Sequence, residues 1–204
     1  MKIVLAPDSF KESMTAMEAC DAMERGIKKV FPEAKCIKLP MADGGEGTVR
    51  SIIDATEGKL ITIDTIDPLG NKIKASFGLL GNGNVAVIEM AEASGLHLVP
   101  LEKRNPLVTT SYGTGLLIKE ALNREVKDIL IGIGGSATND GGAGMLQALG
   151  VKLLDEEGRN LPYGGGALKK LKTIDVRDID KRILKTNIQV ACDVTNPLIG
   201  ERGA

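Results

Sequence analysis

Residues 132–144 read Gly-Ile-Gly-Gly-Ser-Ala-Thr-Asn-Asp-Gly-Gly-Ala-Gly and follow directly on the apolar run 129–131. Six glycines, two hydroxyls, an amide and a carboxylate thus share thirteen residues at the end of an expected buried strand. Glycine allows positive φ and brings backbone N–H groups close to a ligand without an intervening Cβ. Successive amides of this kind make a concave anion nest, and a helix starting behind it adds positive dipole. The bland alternative is a tight turn that lets a helix pack closely on a sheet. The interleaving of Ser136, Thr138, Asn139 and Asp140 with the glycines favours a ligand site instead, because open α/β sheets bind ligands at the carboxyl ends of their strands. Gly134, Gly135, Ser136, Thr138 and Asn139 are the expected phosphate-binding residues, and Asn139 and Asp140 are placed to hold a metal or orient a hydroxyl.

The remainder of the chain narrows the class. A chain of 204 residues, 43% hydrophobic and 26% charged, can bury a substantial core as one large domain or two small ones. Aromatic residues make up 2% with no Trp, so Ile, Leu, Val, Ala and Met must fill that core. A net charge of −1, without a basic block interleaved with aromatics, argues against nucleic-acid binding. Small acidic substrates need only one local cation and stay admissible. Cys20, Cys36 and Cys192 are odd in number and widely spaced, which argues for a reducing compartment and against a disulfide framework or zinc site. The apolar start of the chain, residues 1–7, is too short for a signal peptide, and no stretch reaches transmembrane length. The reading is a cytoplasmic protein with no membrane association.

Periodicity gives the organisation. Residues 2–6 read as a strand ended by Pro7 and Asp8, and Thr15 with Glu18 forms a capping-box pattern at the start of a helix. Ala16, Ala19, Cys20, Met23, Ile27 and Val30 recur at helical spacing as its expected buried face, with Pro32 as the stop. A short strand at 36–39, the loop 40–47 and a helix from Thr48 to Gly58 complete a β-α-β-α pattern, that of a parallel sheet covered by helices. From residue 60 the pattern changes. Residues 60–66 and 73–79 alternate with period two, and Gly81-Asn82-Gly83 leads as a hairpin turn into a strand at 85–90. The expected fold is therefore α/β, with a parallel-sheet βαβ domain beginning at residues 1–65 and a second α/β domain with mixed sheet at 66–204. A helix at 115–124, a helix near 145–149, and strands at 151–154 and 188–191 follow.

Three further groups carry chemistry. The first βα turn, residues 7–13, brings Asp8, Ser9 and Lys11 to the carboxyl end of the first strand, where Lys11 can neutralise a phosphate or a substrate carboxylate. Asp43 and Glu46, spaced by glycines, suit a hard cation such as Mg²⁺ or hydrogen bonds to substrate hydroxyls. Glu46 is equally at home at a helix start for reasons of dipole alone. Asp193 ends an apolar strand and precedes Asn196-Pro197, which makes it a candidate general base, with an Asx-turn as the competing explanation. His97, the only histidine, is read as structural.

Two known phosphate motifs can be tested against the residues. No glycine run is followed by Lys-Ser or Lys-Thr, so a P-loop is absent. Gly132-x-Gly134-x-x-Ala137 with Asp155 downstream imitates a dinucleotide fingerprint, but that fingerprint needs a helix starting inside it, whereas residues 138–142 continue the loop. A nicotinamide dehydrogenase is the weaker reading.

Six segments in register resemble the bacterial glycerate kinases of type 1: Ala6-Pro-Asp-Ser-Phe-Lys11, Ala42-Asp-Gly-Gly-Glu-Gly-Thr48, Glu89-Met-Ala-x-Ala-Ser-Gly-Leu96, Thr110-Ser-x-Gly-Thr-Gly115, residues 132–142, and Ala191-Cys-Asp-Val-x-Asn-Pro-Leu198. Glu12-Ser13 stands where the family usually has Gly-Ser. The resemblance implies ATP-dependent, Mg²⁺-assisted phosphorylation of D-glycerate, to 2-phosphoglycerate in most members, in a cleft between two α/β domains. Carried onto these residues, it makes Lys11 the anchor of the anionic substrate, with Ser9, Asp43 and Asn196 around it. Asp193 becomes the base, the Gly134–Ser136 nest the holder of ATP phosphates or of charge developing in transfer, and Asp43 with Asp140 the Mg²⁺ site, directly or through water. Family members run well beyond 204 residues, so the chain is expected to be an amino-terminal portion, and a truncated, non-catalytic ligand-binding domain is the competing class.

Overall fold

The computed structural model describes residues 1–8, 10, 13–41, 49, 52–53, 56–81, 83–192, 195–197 and 200–202. The first strand, β1 (Lys2–Leu5), pairs in parallel with β2 (Lys35–Lys38), and α1 (Ala16–Val30) crosses between them. The capping box forms as its sequence demands. Glu18 N–H donates to Thr15 Oγ1 at 3.2 Å, and Thr15 N–H donates to Glu18 Oε2 at 2.8 Å. Only Ala19 and Cys20 of α1 are buried, while Met23 is 42% and Val30 70% exposed. The apolar face of α1 is thus larger than its cover, because among the described residues the sheet beneath it has two strands of four residues each, shorter than a 15-residue helix. Burial pushes the Cys20 thiol up, as expected of a packing cysteine donating to Leu5 O at 3.6 Å.

The larger sheet has five strands in the order β3-β4-β5-β6-β9. Here β3 (Lys59–Ile66), β4 (Lys72–Leu79) and β5 (Val85–Glu89) are antiparallel neighbours, and β5, β6 (Asp128–Gly132) and β9 (Asn187–Ala191) run parallel. The mixed sheet expected beyond residue 60 is thereby observed, and β3 belongs to it. Buried Asp67 sets the β3–β4 turn, its Oδ1 accepting from the amides of Leu69 and Asn71.

Both faces of this sheet are covered, so its central strands read as continuous apolar runs. On one face Ala86, Ile88, Ile129 and Ile131 meet Leu117, Ile118, Ala121 and Leu122 of α3 (Tyr112–Asn123). On the other, Val87 and Leu130 meet helical Val49, Ile52 and Ile53. The short α2 (Ala91–Ser94) follows β5, and α4 (Ala143–Ala148) follows the glycine-rich segment. A small hairpin of β7 (Lys152–Leu154) and β8 (Thr173–Asp175) lies in the crossover to β9. Among the described residues no helix is long and apolar enough to cross a membrane.

Candidate functional site

The parallel strands β5, β6 and β9 end side by side, with Glu89 paired to Gly132 and Gly132 to Ala191. The glycine-rich segment leaves β6 at this edge and is tied down from three sides. Leu96 N–H donates to Gly135 O at 2.8 Å and Ala137 N–H to Ser94 O at 2.9 Å, which fixes the loop to the segment after α2. Thr109 Oγ1 donates to Ala137 O at 2.8 Å from the opposite side. Within the loop, Thr138 N–H donates to Ser136 Oγ at 3.0 Å. Positive φ at Gly135 (70°), Gly141 (61°) and Gly142 (75°) makes the bends that the sequence anticipates. Gly134, Gly135, Asn139 and Gly141 stand exposed at the surface of this loop, while Ser136 and Thr138 are half-buried.

Asp140 is 2% exposed and is the hub of the third attachment. Its Oδ2 accepts from Ser111 N–H (2.9 Å), Ser111 Oγ–H (2.9 Å) and Gly144 N–H (3.1 Å). Its Oδ1 accepts from Gly142 N–H at 3.0 Å. A buried carboxylate is tolerated only when so satisfied, since each such bond to a charged group contributes about 1.5–3 kcal/mol. Among the described residues, no ion pair involves Asp140 and no group of three His, Cys, Asp or Glu side chains could hold a metal. The dipole expected behind the nest is small. The helix α4 has six residues, and the amides of Gly142 and Gly144 at its start are already taken by Asp140.

Beside the loop lies a cavity of about 430 Å³, with Ser136, Thr138, Asn139 and Asp140 at one end and Ile118, Leu149, Ile188 and Val190 among its apolar walls. Tyr112 and Tyr163, the two tyrosines of the chain, pair with ring centroids 5.0 Å apart, and burial raises the Tyr163 phenol above its usual value.

Of the residues expected from sequence, Gly134, Gly135, Ser136, Thr138, Asn139 and Asp140 are brought together in this loop. Ser9, Lys11, Asp43, Glu46 and Asp193 lie outside the described residues. Asn196 is exposed beyond β9, its Nδ2 donating to Arg202 O at 3.2 Å. His97 is exposed in a short 3₁₀ turn, its ring against Gly95. Sequence reasoning missed two residues. Ser111 stands at the N-cap position of α3, where a serine reads as a helix cap, yet its hydroxyl makes no cap bond and goes to Asp140. Glu89 is 5% exposed and accepts the amide of Val49 at 2.6 Å, and its signal was a lone carboxylate closing an apolar strand.

The decoy dinucleotide pattern fails on geometry. Asp155 follows β7, whose partner β8 is antiparallel, and its carboxylate is engaged by Arg159 at 2.9 Å. Residues 3–204 match the glycerate kinase family. The chain belongs to that family. It is 61% identical over 204 residues to glycerate kinase of Haemophilus influenzae, covering all of this chain and 54% of that protein. It is 56% identical to glycerate 2-kinase of Escherichia coli K12, again over all of this chain and 54% of that protein. A crystal structure of a Salmonella typhimurium LT2 protein, given provisionally as glycerate kinase 2, superposes with a TM-score of 0.85 at 53% identity, over 100% of this chain and 55% of that one. The chain therefore spans about half the length of the relatives it matches.

Proposed function

We propose that the chain carries the phosphate-handling part of an ATP-dependent glycerate kinase, which transfers the γ-phosphoryl group to D-glycerate and yields phosphoglycerate, phosphorylated at the 2-position. The observation that carries this reading is the glycine-rich loop. It is held from three sides at the carboxyl ends of parallel strands, with Gly134, Gly135 and Asn139 exposed at its surface. Phosphoryl transfer asks a protein mainly for positioning and charge stabilisation, which a loop fixed in advance supplies without reorganising.

In this reading Lys11 anchors the glycerate carboxylate with Ser9, Asp43 and Asn196 around the substrate, and Asp193 takes the proton of the attacking hydroxyl. A bound Mg²⁺ would supply neutralisation of the charge on the nucleotide phosphates. Asp43 would hold it together with Asp140. The donor set suits a hard cation, and Asp140 Oδ1, which among the described residues accepts from Gly142 N–H alone, keeps acceptor capacity that the triply bonded Oδ2 does not. The site is proposed to lie in a cleft between two α/β domains, the first begun by β1, α1 and β2 and the second built on the five-stranded sheet from β3 onward, of a cytoplasmic enzyme acting on small molecules. The separate β1–β2 sheet and the five-stranded sheet support two domains, and three cysteines, odd in number and widely spaced, suit a reducing compartment.

The competing class is a non-catalytic domain that binds a ligand or a partner and transfers nothing. It is favoured by apolar side chains left open on strands and helix, Val4 at 56%, Val190 at 55% and Met23 at 42% exposure. A coupled ADP-release assay on the 204-residue chain with MgATP, with and without D-glycerate, separates the two. Glycerate-dependent release supports the kinase, and nucleotide binding without release supports the binding domain. Silence in this chain and in a longer chain that includes it would overturn the glycerate kinase reading.

A further inference from the structure

The glycine-rich segment is not one uniform nest. Its downstream part is already filled from inside the protein, since Asp140 receives the amides of Gly142 and Gly144. The Ser111 hydroxyl is engaged in the same place. It donates to Asp140 Oδ2 at 2.9 Å and accepts from Met145 N–H at 3.0 Å. Ser111 N–H adds a second bond to the same carboxylate oxygen. Ser111 and Asp140, 4% and 2% exposed, thereby join the chain entering α3 to the chain entering α4. The two backbones touch so closely that a Cβ on Gly144 would fall on Thr110 Oγ1 and the amide of Tyr112.

We propose that Ser111 is a positioning residue which, through Asp140, locks the downstream half of the glycine-rich segment and holds the upstream half, Gly134 to Asn139, in the conformation that receives a polyphosphate. The inference rests on the nucleotide reading of this loop and deepens it, by dividing the loop into a self-filled half and a ligand half. The physical reason is economy of anions. A carboxylate seated among amides takes the place a phosphate oxygen would take, so an incoming phosphate is directed upstream to the exposed turn at Gly134 and Gly135. Asp140 in this role acts on the loop through hydrogen bonds, and its contribution to binding does not require a metal.

The test uses the 204-residue chain and two readouts. Amide hydrogen exchange compares wild type with Ser111→Ala, and calorimetry measures binding of MgATP, of ATP in excess chelator, and of inorganic triphosphate. The expected result is faster exchange at Gly142, Gly144 and Met145 and through residues 134–139, with β5 and β6 unchanged. Affinity for MgATP and for metal-free ATP should fall by the same factor, about tenfold, which corresponds to about 1.4 kcal/mol. Ser111→Thr, which keeps the hydroxyl, should recover most of the loss. Leu122→Ala, a core truncation in α3, should lower the melting temperature without changing either affinity in the folded protein.

Unchanged exchange in 134–139 overturns the lock. Faster exchange with undiminished MgATP affinity reduces Ser111 to a structural contact and overturns its positioning role. Asp140→Asn serves where Ser111→Ala does not fold. If it weakens MgATP alone and spares metal-free ATP, Asp140 acts only through Mg²⁺ and the lock is overturned, whereas a loss in both, larger for MgATP, fits an Oδ2 that locks the loop beside an Oδ1 that meets the metal. A wild-type chain that binds neither nucleotide nor triphosphate, while exchange moves as expected, overturns the nucleotide reading and leaves the lock standing.

Discussion

The carboxylate of Glu89, at the carboxyl end of β5, accepts the backbone amide of Val49 at 2.6 Å, although the two are forty residues apart in sequence. This bond ties the sheet edge beside Gly132 to the helical residues Val49, Ile52 and Ile53. A buried amide deprived of its acceptor costs about 1–3 kcal/mol. Glu89→Ala should therefore lower unfolding stability by that amount in urea titration, and Glu89→Gln, whose amide oxygen can still accept, by distinctly less. Equal losses in the two variants would move the role of Glu89 from the acceptor to the charge.

Gly144 is required by contact, not by backbone conformation. A Cβ there would lie 2.6 Å from the Tyr112 amide and 3.0 Å from that of Ser111, against backbone that cannot swing away. Gly144→Ala should cost at least about 2 kcal/mol through overpacking of the α3–α4 approach. Gly141 has φ 61° with open space around its missing Cβ, so Gly141→Ala should cost about 1 kcal/mol from the left-handed conformation alone. Denaturation midpoints of the two variants, measured side by side, check the ordering, and a reversed order would mean the segments entering α3 and α4 can separate.

Most elements of the fold were legible because their residues obey local rules. Thr15 and Glu18 announce the start of α1, alternation announces β3 and β4, and Gly81 with Gly83 announces the turn into β5, where Gly83 N–H donates to Leu80 O at 2.7 Å. The loop residues Gly134 to Asp140 were legible by density of glycine and polar groups. What escaped was set by distant partners. Nothing local distinguishes Ser111 as a clamp from Ser111 as a cap, because its partner Asp140 is 29 residues away. The exposure of Met23 and Val30 escaped too, because helical periodicity marks a face and says nothing of how much sheet lies beneath it.

Glu24 on α1 sits between Lys28 (2.8 Å) and Lys38 (2.6 Å), and these ammonium groups pull its carboxyl from 4.5 down to about 2. Lys38 also reaches Asp21 at 2.7 Å, joining β2 to α1. A carboxyl whose folded value is depressed stabilises the fold above its ordinary 4.5, and that contribution is lost as pH falls toward about 2. The difference in melting temperature between wild type and a Lys28→Met/Lys38→Met variant should therefore shrink as pH drops through this window. The groups are open to solvent in part, so about 1 M salt should shrink it at neutral pH as well. A difference that is the same at both ends of the window would assign the effect to lysine packing and not to charge.

The assignment of Asp193 as base makes a sharper demand on kinetics than on structure. In sequence it comes two residues after Ala191, the last residue of β9 and the partner of Gly132, and a base is asked only to take a hydroxyl proton. Asp193→Asn keeps size and polarity but removes the acceptor charge, so kcat should fall by roughly 10²–10⁴ with the KM for MgATP little changed. Lys11→Met should act on the other term, raising the KM for D-glycerate while nucleotide binding persists, because the proposed role of Lys11 sets its compact cation against the substrate carboxylate. Initial-rate kinetics with each substrate varied in turn distinguish the two. An Asp193→Asn enzyme with near-normal turnover would remove the base from this position, and a Lys11→Met enzyme that loses nucleotide instead of glycerate would place Lys11 on the ATP side of the site.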